Sequence, residues 1–155
     1  MYPEMRRKDK ALSPEELAEV MAKAEYGVLS TVDENGMPYG VPVNFVYEGD
    51  KIWFHSATEG HKVRNMAQNA KVSFCVITDV GLLPSEFNTR FRSVIAFGTV
   101  AQVEDEAQKV AVFHKILDKF SPDFQESGAK YIADAGHSAK VYEITVDHIT
   151  AKGKK

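Results

Sequence analysis

One cysteine, one tryptophan, six prolines and no long apolar run set the first limits on this 155-residue chain. A lone cysteine, Cys75, rules out an internal disulfide and fits a reducing compartment, so a cytoplasmic protein is expected. No stretch approaches the roughly 20 apolar residues of a membrane span. The leading segment MYPEMRRKDKALSPEE lacks the apolar centre of a secretory signal. A net charge of −3 argues against a general nucleic-acid binder, which is normally basic over its whole domain. There is no G-x-G-x-x-G after a strand and no Walker-type Gly-Lys-Ser/Thr, which leaves a Rossmann fold and a P-loop without support. The histidines at 55, 61, 114, 137 and 148 are scattered without zinc-like spacing, so no metal site is expected. Neither a nucleophile elbow nor a carboxylate pair suited to hydrolysis stands out.

What is present reads as one soluble domain over residues 1–155, with 44% hydrophobic residues to build a core. Ser13, Pro14 and Glu16 have the spacing of a capped helix start, and Leu17, Val20, Met21 and Ala24 repeat along one face. Gly27 is the expected stop. β signals then dominate. Val28 to Val32 and Tyr39 to Tyr47 flank Asn35-Gly36, a preferred tight turn, while Pro38 and Pro42 restrict which backbone edges can pair. A second turn at Glu48 to Lys51 leads into Ile52 to Ser56. A helix from about His61 to Gln68, with Asn69 as a left-handed cap, precedes strands at Val72 to Thr78 and Phe91 to Val103. Asp79 to Thr89 between them reads as a loop, and Gly98 as a bulge or corner. A further helix shows Ala107, Val110, Ala111, His114 and Leu117 on one face, behind an Asp105/Gln108 cap. A short helix through Phe124 and a last strand from Lys140 to Thr150 complete the pattern. Hairpin succession with few helices predicts a mostly β fold, an antiparallel barrel of six strands with peripheral helices.

The chemistry concentrates at Ile52 to Arg64. Ile-Trp-Phe-His ends at a Ser-Ala-Thr-Glu-Gly turn, and His61, Lys62 and Arg64 then crowd the first turn of a helix. A helix N-terminus carries roughly half a positive charge, so basic residues there oppose local electrostatics unless an anion is held. Free amides, the helix dipole and nearby cations together describe an anion site, with phosphate the usual occupant. A solvated basic turn would give the same three residues. His55 shares a strand face with Trp53, opposite Ile52, Phe54 and Ser56, and so looks away from the core if the strand is regular. Mid-strand Cys75 reads as a small buried hydrophobe.

Six segments, in register, resemble the nitroimidazole-resistance branch of the pyridoxamine 5′-phosphate oxidase-like flavoproteins. They are Tyr26-Gly27-Val28-Leu29-Ser30-Thr31-Val32, Gly36-x-Pro38-Tyr39, Val41-Pro42-Val43-Asn44-Phe45, Phe54-His55-Ser56-Ala57, Gly60-His61-Lys62 and Ser93-Val94-Ile95-Ala96-Phe97-Gly98, preceded by Arg6-Arg7. The resemblance implies a split β-barrel that works as a homodimer, with flavin mononucleotide (FMN) at the subunit interface and a small-molecule substrate. It implies that Lys62, helped by His61, holds the flavin phosphate, with Ser93 beside Arg92 a weaker contributor. Val41, Pro42, Val43 and Asn44, with Phe54, His55, Ser56 and Ala57, would line the ring and ribityl chain. His55 is the implied catalytic residue, where small substrates approach. Pyridoxamine phosphate oxidases proper carry an arginine-rich C-terminal signature, and Thr150-Ala-Lys-Gly-Lys-Lys does not match it. An FMN-dependent oxidoreductase is therefore the expectation, with flavin binding without turnover or haem binding as alternatives.

Overall fold

Ser13 opens the first helix through the reciprocal bonds that its spacing predicts. Its Oγ accepts the Glu16 N–H at 3.1 Å, and the Glu16 carboxylate accepts the Ser13 N–H at 3.0 Å. The computed structural model describes residues 2–154, and in it this helix, α1 (Pro14–Lys23), sends Val20 and Met21 into the main core. We expect Ser13→Ala to cost about 1 kcal/mol, the usual worth of such a cap. Ser13→Asp should keep most of it. The check is a lower denaturant midpoint for the alanine variant at unchanged slope.

Seven strands, not six, form one antiparallel sheet: β1 (Gly27–Val32), β2 (Pro38–Val43), β3 (Val46–Glu48), β4 (Lys51–Ser56), β5 (Lys71–Leu83), β6 (Asn88–Val103) and β7 (Lys140–Lys154). Their spatial order is β2-β1-β5-β6-β7-β4-β3. The segment read as one strand from Tyr39 to Tyr47 is thus two strands that break at Asn44-Phe45 and lie at opposite edges of the sheet. Laid flat, those edges would stand roughly 29 Å apart at the usual strand spacing of about 4.8 Å. Three peptide steps from Val43 to Val46 span at most about 11 Å. The sheet must therefore curl into a barrel, with Asn44-Phe45 stitching its open seam.

Inside lie Leu29, Phe45, Ile52, Phe54, Phe74, Val76, Val94 and Ile144, each at most 1% exposed. Phe45 at the seam meets the Phe74 ring edge-on at 5.0 Å, so the crossing segment is itself packed into the core. The register of β6 shifts between Phe97 and Gly98, at the corner the sequence suggests. Any Cβ on Gly98 would stand 2.3 Å from the Thr145 carbonyl oxygen, which is why the bend needs glycine.

Other local expectations change. At the first hairpin only Gly36 has positive φ (+81°). The Gly36 N–H bonds to the Asp33 carbonyl, and the Asp33 carboxylate accepts from Asn35 and Met37, so the aspartate organises a longer loop. Gly27 does not stop α1, which ends at Lys23. It opens β1, where a Cβ would strike Phe74 at 2.2 Å. Asn69 is extended, with φ −143°, and its side chain instead accepts the Lys71 N–H. The stretch from Asp79 to Thr89 is no open loop. β5 and β6 continue through it as a paired arm beyond a register shift between Thr78 and Gly81. In α3 (Glu106–Phe120) the buried residues are Lys109, Val112 and Leu117, with Phe113 and Ile116 half-buried. The face therefore turns away from Val110 and Ala111, because α3 packs on Val103 and Val141. A fourth helix, α4 (Gln125–Ala135), follows the short turn at Phe124.

Candidate functional site

The strand-to-helix step after β4 is where the barrel exposes chemistry. Ile52, Phe54 and Ser56 are buried and His55 is exposed, which is the alternation expected of a regular strand. Pairing with β7 fixes the end of β4: Phe54 lies opposite Tyr142, on which it stacks at 5.5 Å, and His55 lies opposite Val141. Ser56 Oγ donates to the Ala57 carbonyl at 2.6 Å, so its hydroxyl turns back on the loop. Gly60, at φ +153°, then turns the chain into α2 (His61–Gln68), a conformation only glycine takes without strain.

The N-terminus of α2 has the character of an anion cradle. Its first intrahelical bond runs from Arg64 N–H to the Gly60 carbonyl, so the N–H groups of His61, Lys62 and Val63 precede the helix ladder. No side chain caps them and no acidic residue lies in the first turn. Lys62 is half-buried there, and among the described residues it forms no ion pair. The His61 ring stacks on Tyr39 of β2 at 3.9 Å, which ties the cradle to the opposite edge of the sheet. A buried bond from Asn65 Nδ2 to Thr31 Oγ1 (3.0 Å) anchors the helix to β1. This donor set suits a phosphate: preorganised amides at a dipole's positive end, with one lysine beside them.

Val41 and Val43 are half-buried against the core, while Pro42 and Asn44 are exposed at the end of β2. Asn44 Nδ2 donates to the Glu25 carbonyl at 2.7 Å, which holds the crossing in place. Val46 pairs with Trp53 and Glu48 with Lys51, so the chain enters β3 from the His55 end of β4. The seam thus brings the Val41–Asn44 segment towards the Phe54–Ala57 segment. Ser93 is elsewhere. It lies opposite Ile77 and Lys152 on the outer face of β6, in a recess with Pro3, Met5, Ile95 and His148. Within one chain it does not join the α2 cradle.

His55 looks from the barrel wall into a cleft of about 560 Å³ between β4, α3 and α4. Its ring lies 5.9 Å from that of Phe113. Partial desolvation of the imidazole by the cleft walls, and secondarily the nearby Lys62 charge, hold its pKa below the ordinary value, which favours the neutral form. Neutral imidazole offers one donor nitrogen and one acceptor. The sequence reading missed this second wall of the site and missed Tyr39. A helical signal was available, since Phe124, Gly128, Tyr131, Ile132 and Ala135 repeat at spacings of four, three, one and three.

Residues 13–153 match the family model for pyridoxamine 5′-phosphate oxidase. The chain belongs to that family. Among solved structures it is similar to a protein from Bacteroides thetaiotaomicron described as a candidate 5-nitroimidazole antibiotic resistance protein. That similarity has 26% identity, a TM-score of 0.77, and coverage of 91% of this chain and 84% of the other. It also resembles an FAD-binding protein from Mesorhizobium loti (22% identity, TM-score 0.70, 94% and 98% covered). A third is an FAD- and haem-binding protein from Mycobacterium smegmatis (20% identity, TM-score 0.81, 96% and 74% covered). No curated protein matches the sequence. For this member of the pyridoxamine 5′-phosphate oxidase family, the fold is therefore that of the flavin-binding split barrels. No described helix is long and apolar enough to cross a membrane. No group of three or more His, Cys, Asp or Glu among the described residues could hold a metal ion.

Proposed function

We propose that the protein is an FMN-dependent oxidoreductase that reduces small nitroaromatic compounds, working as a two-fold homodimer in the cytoplasm. The observation that carries this reading is the uncapped N-terminus of α2, with Lys62 beside it, a few residues from the exposed His55. Lys62 and the first-turn amides would hold the FMN phosphate. Val41 to Asn44 and Phe54 to Ala57 would flank the ring system, and His61 would be held in place by Tyr39. Bound FMN would carry electrons from a reduced nicotinamide to the acceptor. A nitro group takes up two electrons and two protons to give the nitroso compound and water, and negative charge builds on its oxygens as it does so. The neutral His55 imidazole would donate an N–H to that oxygen, the placement in which a fixed donor aids charge development.

The dimer reading draws support from the outer face of β5 and β6. Ile77 (56% exposed) and Ile95 (39% exposed) lie there, with Ile95 opposite Cys75, an unusual apolar strip to leave in water. Ser93 belongs to the same face, so a second subunit seated on it would bring Ser93 towards a flavin held at the interface. The cytoplasmic reading rests on the single free cysteine.

The purified protein should be yellow with flavin absorbance bands, and should sediment as a dimer at micromolar concentration. It should oxidise a reduced nicotinamide when given a nitroaromatic acceptor. A Soret band in place of flavin bands would assign the site to haem, which the Mycobacterium smegmatis neighbour is described as binding. Flavin bands without turnover would leave a flavin carrier. An FMN-loaded monomer would contradict the interface.

A further inference from the structure

We infer that the cleft between β4, α3 and α4 is the acceptor pocket of this chain, and that it selects an uncharged aromatic molecule of one or two rings. The proposal rests on the oxidoreductase reading for what happens at His55, but not for the binding itself.

Four observations carry it. First, a volume of about 560 Å³ falls in the range of ligand sites and exceeds what a few waters need. Second, its walls are mainly apolar and include three aromatic rings: Phe113, Ile116 and Leu117 come from α3, and Phe124, Tyr131 and Ile132 from α4 and the turn before it. Third, two of those rings are left facing solvent, Phe124 at 64% exposure and Tyr131 at 73%, in a helix pair that is otherwise closely packed. Gly128 shows how close: a Cβ there would stand 2.3 Å from Leu117 Cδ1. The cleft is thus a gap between fitted helices, with large rings at its mouth free to close over a flat ligand. Fourth, among the described residues His55 is the sole histidine of the lining, and no carboxylate, lysine or arginine joins it.

These features define specificity as well as occupancy. An unpaired charge moved into this cleft would lose its hydration without gaining a counter-ion, which is costly, whereas a neutral ring gains from burial. The polar groups present are few and mostly engaged. Ser138 Oγ donates to the Ala135 carbonyl at 2.7 Å, and Ser127 Oγ to the Phe124 carbonyl at 3.4 Å. A ligand therefore gains its polar recognition chiefly at His55, with its reducible group held there and its apolar body between the helices. Because much of the wall comes from α4, which lies outside the barrel, the pocket's shape is separable from the phosphate cradle.

The test compares three probes of one ring size, 4-nitrobenzyl alcohol, 4-nitrobenzoate and 4-nitrobenzylamine, against the FMN-loaded protein and its Ser127→Phe variant. Binding is read by titration calorimetry with no electron donor present, and KM and kcat are read separately. The neutral probe should bind at least tenfold more tightly than either charged one. Filling the cleft with Ser127→Phe should weaken its binding and raise its KM at least tenfold while the flavin spectrum is unchanged. If Ser127→Phe does not fold, Tyr131→Ala removes an exposed ring and should weaken the neutral probe at least threefold. Equal binding of neutral and charged probes overturns the inference. So does a folded, flavin-loaded variant that binds and turns over as the parent does, and that result would leave the oxidoreductase reading intact. Tight selective binding of the neutral probe by a protein that takes up no flavin would do the reverse.

Discussion

Lys62→Ala should weaken FMN binding by about 1.5–3 kcal/mol, the range for a hydrogen bond to a charged group, and leave riboflavin binding nearly unchanged. The asymmetry follows from the geometry of α2. Its first-turn amides are uncapped and Lys62 belongs to the same turn, so a phosphate would be held there, whereas the ring and ribityl chain would meet the β2 and β4 segments. The magnitude stays modest because the amides and the helix dipole remain when the ammonium is removed. Lys62→Arg should recover part of the loss, since the charge survives but the guanidinium is larger and differently shaped. Fluorescence titration of both ligands checks it. Equal losses for FMN and riboflavin would mean that Lys62 supports the fold of the turn and does not contact the phosphate.

His55→Ala should leave FMN bound and lower nitro reduction by roughly ten- to a thousandfold, as expected for one lost donor or acid. The pH dependence separates those two roles. Burial, and then Lys62, depress the pKa of His55. Over the window between that depressed value and the usual histidine value near 6.5, the unfolded chain binds more protons than the folded one, so stability falls as pH drops through it. A neutral N–H donor is fully present above the window, so kcat should be flat from pH 7 upward. A rate that instead falls steadily above pH 7 would indicate transfer of a proton from imidazolium. Loss of flavin from the alanine variant would assign His55 to structure.

Local patterns reported well where one residue pair decides the geometry. The Ser13/Glu16 box, the His55/Phe54 alternation and the Gly98 corner all appear as the residues suggest. Patterns failed where a distant partner decides. Nothing local marks Asn44-Phe45 as a crossing, because Tyr39 to Tyr47 is continuously strand-like and only the far neighbours of β2 and β3 reveal the break. The face of α3 was misread for the same reason: Val110 is apolar, but Val103 and Val141 determine which side is covered. The paired arm from Thr78 to Arg90 is rich in turn residues, yet cross-strand pairing carries the ladder past them. The place of Lys62 in the first turn of α2 and the outward position of His55 on β4 were legible from the sequence. The facing wall of α4 was not, since a helix acquires a role only from what it packs against.

The pairing of β4 with β7 has a consequence during synthesis. Trp53 and Glu143, which share a side-chain hydrogen bond, lie 90 residues apart, and His55 and Ser56 rest on Val141 and Lys140. The local hairpins β1–β2 and β3–β4 can form early, but the strand that carries His55 has no inner neighbour until β7 leaves the ribosome, and contacts of such long range form late. A nascent chain stalled before Lys140 should therefore emerge without bound flavin, even though every residue of the phosphate cradle has already been made. Loading of the barrel would then wait for β7, and the free flavin pool would meet only chains in which that strand has docked on β4.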